Sequence, residues 1–175
     1  LAAYVLLLLT PESAYARVAS SLPPFYQDRL ILWRSALPGI QDYVYTGSGL
    51  GNAAMVLSSY VYLLHVPYVF HVHNMYMEIF LEQGVAGIVG FFGMLIASLW
   101  SVVITLRQGN SRYQRYAVCI GISLFSLAIA GLFESDVYAG QLVALMFLPF
   151  GFAWVLGEHA VVQRTVREPW TRKVR

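Results

Sequence analysis

The sequence predicts an all-α integral membrane protein, a multi-pass helical bundle with a long, partly helical segment on one side of the bilayer. Three observations lead there. Of 175 residues, 58% are hydrophobic and only 11% charged, with a mean hydropathy of +0.62, whereas soluble globular domains carry roughly 25% charge. Three uncharged runs approach or exceed the length needed to cross a hydrocarbon core of ~30 Å. The stretch before the first of these runs, residues 10–82, is far too long for a simple connector and is rich in tyrosine, phenylalanine and tryptophan, so it is expected to carry structure or function of its own.

The elements follow in order. Residues 1–9, LAAYVLLLL, read as the end of a transmembrane helix, stopped at Thr10-Pro11 because proline cannot continue the hydrogen-bond ladder. With no Met and no basic region ahead of the apolar run this is not a signal peptide, and the chain is expected to be the C-terminal part of a longer one. Residues 83–106 are 24 uncharged positions and form the first full span; 116–133 hold 18 and 137–157 hold 21, giving two more. The loop 107–115 supplies Arg107, Arg112 and Arg115, and the tail 158–175 supplies Arg164, Arg167, Arg172, Lys173 and Arg175, so 8 of the 11 basic residues fall on one side. Basic loops stay cytoplasmic, which sends 10–82 and the turn 134–136 to the opposite face. The basic tail is suited to anionic lipid headgroups, and no nucleic-acid partner is expected. The single cysteine, Cys119, lies in an apolar segment without a partner and reads as an ordinary core or lipid-facing residue.

Within 10–82, PPFYQDRLILWRSALPGI reads as an amphipathic helix entered at Pro23-Pro24 and stopped at Pro38-Gly39, with Leu30, Trp33 and Leu37 at helical spacing. Arg29 shares the Trp33 face, whereas Arg34, five residues from Arg29, points about 140° away. Both arginines could serve as interfacial cations or as anion ligands. YTGSGLGN, residues 45–52, places Gly47, Gly49 and Gly51 where a tight turn or a close backbone approach is possible. It lacks the lysine and the spacing of a phosphate-binding loop, so a plain turn competes with a ligand-contacting one. Residues 53–70 are apolar and aromatic, consistent either with a helix on the membrane surface or with a re-entrant piece.

HVHNMYMEIFLEQGVAG, residues 71–87, gathers polar groups just before the first span. Asn74 is a favoured N-cap, so a helix is expected to start beside His73 and run into the span. Gly84, Gly87, Gly90 and Gly93 recur every third residue and are expected to form a close-packing ridge. His73 would then stand at a helix N-terminus, where N–H groups and the dipole favour an anion. Three readings compete for His71-x-His73. A metal pair offers two ligands and no third at a recognisable spacing, so no metal is expected; an interfacial or capping role is the plainest; and a general base is the third, since histidine titrates near neutrality. An arginine nearby would supply what a base lacks, a stabiliser for an anionic leaving group. Glu78 and Glu82 are secondary candidates, more often structural at such positions.

The order of these features, RLILWRSAL, then GSGLG, then His73-Asn74 followed by nine residues and Gly84-Val85-Ala86-Gly87, resembles the O-antigen ligase and polymerase family of bacterial envelope proteins. The outward turn FESDVY, residues 133–138, is similar too. The resemblance covers most of residues 27–157. It implies a polytopic inner-membrane glycosyltransferase with a GT-C-like helical fold, its site facing the periplasm. It also implies a glycan donor on undecaprenyl diphosphate, a sugar hydroxyl on lipid A core or another glycan as acceptor, and no cofactor. By position His73 matches the family's catalytic histidine, and Arg29 best matches the arginine that binds the lipid diphosphate. Arg34, Asn74, Gly47, Gly49, His71 and Glu78 are expected to contact substrate.

A ligase with lipid A core as acceptor is the leading expectation, with an O-antigen or exopolysaccharide polymerase as the alternative. A membrane transporter is the reading from a different class, and it should place ionisable residues at mid-depth in the spans. The three spans carry none, and the polar cluster sits at their outer rim.

Overall fold

A computed structural model describes residues 11, 16–17, 20–21, 24–60, 71–108, 110–134 and 140–171. The described residues form helices and turns without strands: α1 (Pro24–Asp42), α2 (Ala53–Tyr60), α3 (Met75–Gln108), α4 (Ser111–Ala130) and α5 (Gly140–Thr171). Among the described residues three segments are long and apolar enough to cross a membrane, Met75–Gln108, Ser111–Ala130 and Leu145–Gln163, and the protein is a helical membrane protein. The expected helix end at 1–9 lies outside the described residues, as does the apolar stretch after Tyr60, residues 61–70.

The chain divides into two units, residues 1–88 with 131–136, and residues 89–130 with 137–175. The first is organised around one apolar cluster. Leu30, Trp33, Ala36 and Ile40 of α1 meet Ala53, Val56 and Leu57 of α2, with Val72 and Leu81 closing the cluster. The Trp33 indole N–H, costly to bury unpaired, donates to the Val72 carbonyl at 2.8 Å. The expected stop at Pro38-Gly39 is corrected: α1 continues to Asp42 with Pro38 inside it. Proline costs an interior helix one hydrogen bond. Continuing nevertheless buries Ile40 in the same cluster and lets the Tyr43 amide reach the Gly39 carbonyl at 3.1 Å.

α3 breaks at Gly84, whose φ of 64° and ψ of −161° are not helical. The hydrogen bonds lost there are replaced by the turn at 44–49. In an unbroken helix the Val85 amide would take the Leu81 carbonyl; here it takes Val44 O at 2.7 Å, and Leu81 O accepts from the Ser48 amide at 2.9 Å. Glu82 O, freed in the same way, accepts from the Gly49 amide at 2.9 Å. So intimate a contact excludes side chains. A Cβ on Gly47, at φ +66°, would overlap Glu82 O and lie 2.6 Å from Gln83 Cα, and one on Gly84 would lie 2.8 Å from Val44 O. The buried Glu82 carboxylate also reaches the start of α2, its Oε1 accepting from the Ala53 amide at 3.1 Å, a favourable place for negative charge.

The expected glycine packing ridge is therefore corrected. Gly84 meets another segment closely through its left-handed conformation, the space over Gly87 is filled by Gln83 of its own helix, and among the described residues nothing lies within 4 Å of a Cβ on Gly90 or Gly93.

In the second unit, residues 89–108 of α3 pack with α4 and α5. Phe91 and Phe150 meet edge to face with centroids 6.2 Å apart, and Leu95, Val102, Leu124 and Ala153 are buried. Gly157 lets α5 approach α3 closely, since a Cβ there would lie 2.8 Å from Ser101 Cβ. Asn110 caps α4, its Oδ1 accepting from the Arg112 and Tyr113 amides at 3.1 and 3.2 Å. Ile96, Trp100, Ile122, Phe125, Phe152 and Trp154 are exposed, as befits helices whose solvent is lipid.

Gly47→Ala should lower the thermal unfolding midpoint in detergent sharply, because the residue is both left-handed and overlapped; strain of this kind costs on the order of 1–3 kcal/mol before the clash is counted. Gly90→Ala should be neutral or stabilising by up to about 1 kcal/mol. Equal effects at the two positions would contradict the docking of the turn on α3.

Candidate functional site

The polar cluster anticipated at residues 71–78 forms at the start of α3. Asn74 is its N-cap: Oδ1 accepts from the Met77 amide at 3.1 Å, while Nδ2 donates to the Leu132 carbonyl at 3.1 Å. The Met75 amide is shared between the carbonyls of Gly131 (2.8 Å) and Glu134 (3.1 Å). The opening of α3 is thus filled by the turn at 131–134. This corrects the expectation of free amides awaiting an anion, since the Met75 and Met77 N–H groups are engaged within the protein.

That docking brings Glu134 to the site. Its Oε1 lies 2.8 Å from Arg29 Nη2 and its Oε2 lies 3.3 Å from His73 Nδ1. Arg29 Nη1 also donates to the carbonyl of Phe133, so the guanidinium grips the turn with two nitrogens. The Arg29 side chain is 13% exposed and that of Glu134 47%. The Arg29 hydrogen bond, seconded by His73, holds the Glu134 carboxyl below the usual carboxylate range against the opposing effect of burial. His73 has a φ of 53°, an uncommon conformation for a residue with a side chain and one that recurs at functional sites.

His71 makes a second such pair. Its Nδ1 lies 3.1 Å from Oε1 of the buried Glu78, whose Oε2 accepts from the Val72 amide at 3.4 Å. The two imidazoles stand edge to face, centroids 6.4 Å apart. Among the described residues, no group of three or more His, Cys, Asp or Glu side chains is placed to hold a metal ion.

Of the residues singled out from sequence, Arg29, His73, His71, Asn74 and Glu78 gather at the mouth of α3. Arg34 is half-buried five residues further along α1. Gly47 and Gly49 instead dock on the Gly84 break, their amides donating to Tyr43 O at 2.8 Å and Glu82 O at 2.9 Å. Glu134 was not among the expected site residues. The available signal was an acid in a base-free turn assigned to the same membrane face as Arg29 and His73.

A family model described as O-Antigen ligase matches residues 3–92, a range that takes in Arg29, the turn at 44–52, His71, His73 and Glu78. No curated protein and no solved structure matches the chain.

A carboxyl held below its ordinary value of 4.5 binds fewer protons folded than unfolded, so its contribution is present above that value and fades as pH falls through the folded one. Glu134→Gln should therefore lower thermal stability modestly at pH 7, modestly because solvent screens a half-exposed pair. The difference from the parent should shrink below pH 4.5 in detergent melts. A difference that is constant or grows with acid would contradict the pairing.

Proposed function

The chain belongs to the O-antigen ligase family, and we propose that it is a metal-independent, inverting glycosyltransferase acting at the periplasmic face of the bacterial inner membrane. Its donor is a glycan on undecaprenyl diphosphate, and its acceptor is a sugar hydroxyl on lipid A core. The observation that carries this reading is the Glu134 carboxylate shared between Arg29 and His73, which sets a cation for phosphate and a base for a hydroxyl side by side.

The chemistry follows from the hydrogen bonds. With Glu134 ionised, His73 donates its Nδ1–H to the carboxylate, which leaves Nε2 as the ring's acceptor. The acceptor hydroxyl gives its proton to Nε2 as its oxygen attacks the anomeric carbon. The bond from that carbon to the diphosphate oxygen breaks, and the electron pair leaves with undecaprenyl diphosphate. Direct displacement inverts the anomeric configuration. Arg29 offers five N–H donors in a planar fork, and hydrogen bonds from that guanidinium to phosphate oxygens would offset the charge gathering on the leaving group. A diphosphate ester is already activated, so the reaction requires no nucleotide sugar. The distribution of basic residues supports the periplasmic assignment.

General base help is worth ~10²–10⁴-fold. His73→Ala in the full-length protein should lower transfer of labelled glycan to lipid A core in proteoliposomes by that factor, with insertion into the membrane unchanged. Transfer at the parental rate would overturn the assignment of His73.

A further inference from the structure

The proposed reaction moves one proton from one hydroxyl, and His73 accounts for it. The site nevertheless contains a second imidazole fixed by a carboxylate. Glu78 is 1% exposed, in the first turn of α3 where the helix dipole favours a negative charge. Burying a carboxylate is costly unless it is hydrogen-bonded, and Glu78 is held by the Val72 amide and by His71 Nδ1. A contact between a buried acid and a partly solvated ring is a poor route to stability. Its more definite effect is geometric: Nδ1 is engaged at 3.1 Å by Glu78, an ionised carboxylate there accepts from Nδ1–H, and Nε2 is then the acceptor on a side chain that is 44% exposed.

We infer that His71, oriented by Glu78, binds the acceptor sugar by accepting a hydrogen bond from a hydroxyl other than the one that attacks. The inference rests on the proposed transferase reading. The ring centroids of His71 and His73 are 6.4 Å apart and the planes steeply inclined, too far for the two rings to share one proton directly. That separation suits two oxygens of a single saccharide, which presents several hydroxyls around one ring. His71 is accordingly a specificity residue, and Glu78 a positioning residue acting through it. A site that pairs with a substrate hydroxyl discriminates against a sugar lacking it, because that hydrogen bond is then lost.

The test is steady-state transfer by the full-length protein in proteoliposomes, with an undecaprenyl diphosphate-linked glycan held saturating and lipid A core varied. His71→Ala should raise the acceptor KM by about tenfold, the loss expected for one substrate hydrogen bond, with kcat within about threefold of the parent and the donor KM unchanged. Glu78→Gln should shift the acceptor KM in the same direction, and the double variant should be no worse than His71→Ala, since Glu78 acts only through the ring. His71→Gln, which keeps an acceptor oxygen, should recover part of the loss. An unchanged acceptor KM in His71→Ala overturns the inference, and so does a fall in kcat alone or an additive effect of the two substitutions. If Glu78→Gln fails to insert, the half-exposed His71 variants decide the matter. His73→Ala run beside them separates the two claims: transfer lost in His73→Ala with His71→Ala unaltered sinks only the acceptor role, whereas transfer retained in His73→Ala sinks the underlying reading as well.

Discussion

Backbone amides and carbonyls freed where α3 begins and where it breaks must find partners away from water, and the segments that supply them determine the arrangement of the first unit. An unpaired buried N–H or C=O costs about 1–3 kcal/mol, a large fraction of what holds a domain together. At Gly84 the partners come from residues 44–49; at Met75 they come from Gly131 and Glu134. The first set draws the glycine turn onto the helix and carries α2 with it through Glu82 and Ala53. The second draws in the turn after α4.

The chemical consequence lies in the second set. Docking residues 131–134 on the helix start leaves the Glu134 side chain between Arg29 of α1 and His73. Three parts of the chain that are distant in sequence are then tied through one carboxylate, and His73, in a left-handed conformation, stands just before the Asn74 cap. Charge at this point is finely balanced. Arg29 favours the ionised carboxylate, and a carboxylate at Nδ1 orients the ring so that Nε2 is the nitrogen left for a substrate.

Much of this was legible locally. The α1 face bearing Leu30 and Trp33, the Asn74 cap, and the presence of an arginine and a histidine in the same outer segment could all be read from residue type and spacing. What was not legible depended on long-range contacts. Pro38 is a local stop signal, but Ile40, burying itself against α2, overrides it. Gly84 sits in a regular i±3 glycine series, and nothing nearby distinguishes it from Gly90; only the approach of Val44 and Gly47 requires its positive φ. Gly47 and Gly49 carried the signal for close approach correctly, but the partner they approach is the α3 backbone. Glu134 lies 61 residues from His73 and 105 from Arg29, a distance over which periodicity says nothing.

In the proposed reaction two tasks fall to two residues, Arg29 as the cation that holds the lipid diphosphate and His73 as the base that takes the hydroxyl proton. Equilibrium binding of an undecaprenyl diphosphate-linked glycan to full-length protein in proteoliposomes, with no acceptor present, tests that division most directly. Arg29→Ala should weaken donor binding by tenfold or more, in line with loss of a charge-assisted phosphate contact of about 1.5–3 kcal/mol. His73→Ala should bind the donor as the parent does. Parental binding in Arg29→Ala, or a loss in His73→Ala as large as that in Arg29→Ala, would contradict it.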